Sequence, residues 1–161
     1  MPTETNKRTN PLPPTTVRPA RPRPVRHGVA LLAGLALLLS ACLTGEQQSG
    51  LDALNKDRTA NRVVTLGIQS DAQAKAQAWA EKLARENKLY HSTLSSGIRA
   101  KWCNIGENVG YASSVTAAEA AFMRSTTHRA NIVNKVWNGV GIGVAKNGSR
   151  TFVVQVFIKT C

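Results

Sequence analysis

Six residues near the C-terminus limit the architecture more than any others. Phe152, Val154, Val156 and Ile158 occupy alternate positions, and Val153 and Phe157 stand between them. Side chains on a strand point alternately to its two faces, so a strand that is apolar on both faces must be covered on both. The run Val140-Gly141-Ile142-Gly143-Val144 precedes it, with Asn147-Gly148 in between. A two-residue type I′ turn favours that dipeptide because both central residues need positive φ. With Asn147 and Gly148 as the loop, Gly143 faces Phe152 and Gly141 faces Val154, small against large.

Helical patterns supply the covering layers. Leu51, Leu54, Asn55 and Arg58 recur at helical spacing, which predicts a first helix ending near Ala60. Ser70-Asp71-Ala72-Gln73 reads as a capping box. Behind it Ala72, Ala76, Trp79, Ala80, Leu83 and Ala84 share one face, with Lys75, Lys82 and Arg85 off it, in a helix running to about Asn87. Thr116-Ala117-Ala118-Glu119 reads as a second box, with Glu119 serving the cap of a helix through Phe122 and Met123. A shorter helical piece covers residues 128–133. Helices on both sides of the hairpin give an α+β fold, a three-layer α-β-α sandwich with a central, mainly antiparallel sheet. Trp79 belongs to the core, whereas Trp102 and Trp137 lie in loops and pack under them or rim a cleft.

The chain has a second organising feature ahead of this domain. Val29–Leu39 is almost wholly apolar, follows Arg23 and Arg26, and leads into Leu39-Ser40-Ala41-Cys42. A basic flank, a short apolar stretch and small residues before a cleavage point make a secretory signal. The stretch falls short of the ~20 residues that span a bilayer as a helix. Leu39 to Cys42 resembles a bacterial lipobox, whose Cys is lipidated and becomes the first residue after cleavage. The expected division is therefore a cytoplasmic extension and lipoprotein signal over 1–41, a lipidated flexible tether over 42–50, and a domain over 51–161. The product would sit outside the cytoplasm, anchored to the membrane through acyl chains on Cys42.

Charge and cysteines fit that setting. The formal charge of +12 divides into six basic residues against one acid in 1–41 and fifteen against eight in 42–161. The domain's share is scattered, with no Lys/Arg run and no groove-reading motif, which excludes a nucleic-acid partner. With Cys42 lipidated, Cys103 and Cys161 are an even pair in an oxidising compartment. They either join in a disulfide, pinning the C-terminus to the middle of the domain, or stay as two thiols. Neither lies in a C-x-x-C pair, so a zinc ribbon is excluded.

After residue 41 only two histidines remain, in Leu89-Tyr90-His91-Ser92 and in Ser125-Thr126-Thr127-His128-Arg129-Ala130-Asn131-Ile132. Between them stands Ile105-Gly106-Glu107-Asn108-Val109, and the Gly-rich hairpin follows. This ordered set resembles the CAP superfamily: the cysteine-rich secretory, antigen 5 and pathogenesis-related 1 proteins, and most nearly their bacterial SCP-like branch. The likeness covers residues 51–161. It implies an α-β-α sandwich with a cleft lined by two histidines and two acids, in which the histidine pair of some members holds a divalent cation. Carried over, the cleft residues are His91, Glu107 and His128. Ser125 stands where the second acid would be, and Thr126-Thr127 replaces the usual Pro-Gly.

Two imidazoles and a carboxylate admit several chemistries. They can ligate a divalent cation such as zinc, Glu107 can orient an imidazole from behind, or a histidine can act as general base. They can equally form a buried network that only specifies the fold. The sequence has no G-x-S-x-G and no H-E-x-x-H. The first expectation is a membrane-tethered binding module for a lipid, a cell-wall fragment or a partner protein. The second is a metal-assisted hydrolase of peptide or ester bonds using His91, Glu107 and His128.

Overall fold

The structure, a computed structural model, describes residues 42–161; the signal and cytoplasmic extension assigned to 1–41 lie outside them. Four helices and three strands follow in the order α1 (Gly45–Ala60), α2 (Ser70–Glu86), β1 (Trp102–Ala112), α3 (Val115–Arg124), α4 (Thr126–Ile132), β2 (Gly139–Asn147) and β3 (Arg150–Thr160). The sheet is antiparallel with order β1-β3-β2. The doubly apolar strand is thus the central one.

Its two faces have separate cores. Phe152, Val154, Val156 and Ile158 pack against Ala72, Ala76, Ala80, Leu83 and Ala84 of α2. Val153 and Phe157 pack on the other side with Leu54 of α1, Val115, Ala118 and Phe122 of α3, and Ile132 of α4. This is the three-layer sandwich expected from the sequence. α2 lies so close to β2 that a Cβ on Gly141 would stand 2.1 Å from the carbonyl oxygen of Ala72, and one on Gly143 would stand 1.9 Å from that of Ala76. The glycines make room for a helix backbone, not for large residues across the strand.

The hairpin register also differs from expectation. Asn147 pairs with Arg150, Gly143 with Val154 and Gly141 with Val156, so the loop is Gly148-Ser149. Gly148 has φ +58° and no other residue of the turn is positive, the type II′ pattern and not I′. Asn147 stays in the strand because its side-chain amide donates to the carbonyl of Ala84 at 2.7 Å, satisfying the last turn of α2.

Three helix starts are corrected in the same way. α1 begins at Gly45, inside the segment read as a tether, because Thr44 and Gln47 form a reciprocal capping box. α2 is capped by the side chain of Gln69, not Ser70. Gln73 instead spans to β2, accepting from Ile142 N and donating to Ile142 O. α3 is capped by Ser114, which frees Glu119 from the cap and leaves it buried. Cys103 and Cys161 form a disulfide with Cα atoms 5.7 Å apart. Trp137 is buried on Phe157, Trp79 is half-buried against Tyr90, and Trp102 is 40% exposed.

Candidate functional site

β1 is an edge strand, and its alternation distributes the site. Glu107 and Val109 face the α2 layer, whereas Asn108 and Gly110 face the layer of α3 and α4. His91 follows α2 and meets Glu107 on the first side; His128 sits in α4 on the second.

Glu107 is buried and fully engaged. Its Oε1 accepts from His91 Nδ1 at 2.8 Å and from the Ser92 amide at 2.9 Å, and its Oε2 accepts from the Ser92 hydroxyl at 2.6 Å. A carboxylate only accepts, so Nδ1 of His91 carries a hydrogen, and it is in the neutral ring that Nε2 keeps its lone pair. The Glu107 side chain is 1% exposed and that of His91 is 59% exposed. The geometry is that of an imidazole aimed outward from a buried carboxylate. Lys75, read from the sequence as lying off the apolar face, is buried too. Its ammonium donates to the carbonyls of Thr93 and Ser96, at 2.8 and 3.0 Å, and so holds the loop after His91. Burial pulls the Lys75 pKa down, and the charge of Glu107 opposes that.

His128 is half-buried, with its ring 5.0 Å from that of Phe122. Burial lowers its pKa, and the charge of His91 lowers it further, which favours the neutral imidazole. It lines a recess of about 460 Å³ along β1 together with Ser125, Phe122, Leu89 and Tyr111. Ser125, between α3 and α4, makes no side-chain cap for α4, leaving its hydroxyl on the recess wall. A larger recess of about 750 Å³ lies away from the histidines, between the start of α1 and α2 and beside the exposed Cys42.

The structure therefore joins His91 to Glu107 directly and brings His128 and Ser125 to one recess beside them. Among the described residues no three His, Cys, Asp or Glu side chains converge as a metal-ligand set. Glu107 is engaged by His91 and Ser92, and Ser125 stands in place of an acid.

Sequence reasoning passed over the polar residues that support this edge. Asn108 donates to the carbonyl of His128 at 3.1 Å and to Gln155 at 2.9 Å, and accepts from Asn131 at 2.9 Å. Gln155 in turn donates to Glu119. The signals were present: Gln155 interrupts an otherwise apolar strand, and Glu119 falls between Val115 and Phe122 at inward helical spacing.

The family model for CAP, the cysteine-rich secretory protein family, matches residues 51–157. No curated protein sequence matches the chain. Among solved structures, an extracellular SCP-domain protein of Bacillus anthracis superposes with TM-score 0.64 at 25% identity, over 72% of this chain and 41% of that one. An outer surface protein of Borrelia burgdorferi gives TM-score 0.64 at 14% identity, over 72% and 93%. NaASP2, solved with Zn²⁺, gives 0.52 at 15% identity, over 70% and 78%. The present chain thus spans less than half the length of the first of these. With motif order, layers and family model in agreement, this chain belongs to the cysteine-rich secretory protein family.

Proposed function

We propose that the domain is a binding module held at the membrane surface through Cys42, with its ligand taken at the β1 edge by His91 and His128. The observation that carries this reading is the engagement of Glu107 by three donors. A carboxylate so occupied fixes the tautomer and direction of His91, and three of its roughly four lone-pair sites are already taken. Hydrolysis needs water activation and charge stabilisation together; Glu107 is committed to His91 and Ser92 and Ser125 stands at the second acid position, which leaves the base to a histidine and favours binding.

The simplest ligand for two outward imidazole nitrogens is a divalent cation such as zinc, with water or a carboxylate of a larger ligand on the other positions. The larger ligand would be a lipid, a wall fragment or a partner protein. Zinc titration of the full chain in detergent micelles, followed by calorimetry, tests the reading. His91→Ala and His128→Ala should each abolish the binding heat, since one imidazole is too few ligands to hold the ion. Glu107→Gln should weaken affinity about 10–100-fold, the usual effect of losing an orienting partner. Affinity should also fall in acid, because an imidazolium cannot ligate. Wild-type protein giving no heat at neutral pH would remove the cation from the proposal.

A further inference from the structure

The amide groups behind the cleft form a chain with a single direction. Asn131 Nδ2 donates to Asn108 Oδ1 at 2.9 Å, Asn108 Nδ2 to Gln155 Oε1 at 2.9 Å, and Gln155 Nε2 to Glu119 Oε2. The second hydrogen of Asn108 Nδ2 goes to the carbonyl of His128 at 3.1 Å. Asn108, Gln155 and Glu119 are 0, 1 and 3% exposed, so water does not compete for these bonds. A primary amide can point either way, and what fixes the direction here is the terminal group. An ionised Glu119 can only accept, which forces Gln155 to present its NH₂ to it and its oxygen to Asn108.

We propose that Glu119 is a positioning residue for the cleft: as terminal acceptor it sets the direction of the amide chain that holds the His128 turn, and gaining a proton releases that constraint. A protonated carboxyl has a hydroxyl hydrogen to donate, so Gln155 is free to turn its oxygen toward Glu119. Asn108 then loses its acceptor and its hold on the His128 carbonyl. The groups around Glu119 favour a proton at neutral pH. α1 presents Asp52, Lys56 and Asp57 to the recess it lines, while β3 and β1 face it with amides and no charge. Burial, opposed by the Gln155 bond and aided by Asp57, pushes its pKa up to about 7. Among the described residues its Oε1 has no hydrogen-bond partner, so the Gln155 bond alone holds the carboxyl in direction. The bearing of this device on ligand binding rests on the cleft being the binding site, but the chain itself does not.

The experiment reads the chain directly. In isotope-labelled full-length protein in micelles, the ¹³Cδ of Glu119 and the side-chain amides of Gln155 and Asn108 are followed by NMR from pH 5.5 to 8.5. All three should move together with one midpoint near 7. In Glu119→Gln, which keeps the shape without the proton, the amide titration should vanish. In His128→Phe it should persist, which separates it from titration of the imidazole. Amide signals that stay flat in the wild type while Glu119 itself titrates would overturn the proposal, even if the Glu119 variant failed to fold. Amides that still titrate in a folded Glu119→Gln would overturn it equally. Zinc calorimetry does not enter, so failure of the cation reading leaves this result standing.

Discussion

Arg58 and Glu119 show how a buried charge is accommodated in two different ways. Arg58 is 1% exposed and has no acid beside it. Its guanidinium donates to the carbonyls of Val64 (2.8 Å), Ile132 (2.6 Å) and Asn134 (3.0 Å), tying α1 to the C-terminal end of α4, where the helix dipole favours a cation. Arg58→Leu should fill the space yet strand buried carbonyls, lowering stability by about 3 kcal/mol in chemical denaturation. Glu119 works in the opposite direction. A proton affinity raised from 4.5 to about 7 on folding means the folded state binds the proton more tightly. Stability from this group is therefore intact below pH 4.5 and is lost as pH rises through 7, by about 3 kcal/mol at most. Glu119→Gln should flatten that slope in denaturation curves taken at pH 5 and pH 8. Both residues sat on inward helical positions in the sequence. Arg58 was legible as part of an apolar stripe. Glu119 was not, because Thr-x-x-Glu is also the pattern of a capping box and Ser114, two residues earlier, took that role.

At the level of elements, the interface between α2 and β2 depends on two hydrogen atoms. An alanine at Gly143 would drive its methyl into the backbone of α2, which no rotamer can relieve. Gly143→Ala should lower the melting temperature sharply, with a loss of about 3 kcal/mol or more. Gly148→Ala, in open space but at φ +58°, should cost only about 1 kcal/mol. A comparison of the two melts separates steric conflict from backbone strain. The same hairpin explains what could be read in advance. Face assignments on the last strand were correct although the pairing was two residues out, because a shift of two leaves every side chain on its own face. The turn was misread because a distant carbonyl on α2 recruits Asn147, and no local pattern reports that. β1 carries Gly and Asn where an edge strand meets the neighbouring layers, so it lacked the alternation that marks a strand and was visible only through its Gly-Glu-Asn motif.

For the whole molecule, the disulfide and the lipid proposed on Cys42 bear on how firmly and where the domain is held. The Cys103–Cys161 bridge closes a 58-residue separation and constrains the unfolded chain by about 4 kcal/mol in the chain-entropy model. Cys161→Ser should therefore depress the melting temperature clearly in non-reducing buffer, and reductant should do the same to the wild type. Cys42→Ala should shift the protein out of the membrane fraction, or leave it as uncleaved precursor, and should abolish incorporation of a fatty-acid label. Retention of the label in that variant would sink the lipobox reading. The early start of α1 then takes on a mechanical meaning. With a lipid on Cys42, only Leu43 and Thr44 separate the anchor from a rigid helix, a reach of about 7 Å. Such a domain has no leash on which to swing. It would stay close to the bilayer, and its binding surface with it. Ligands borne on long, mobile polymers can come down to it, whereas an epitope fixed farther than about one domain diameter from the membrane stays out of reach.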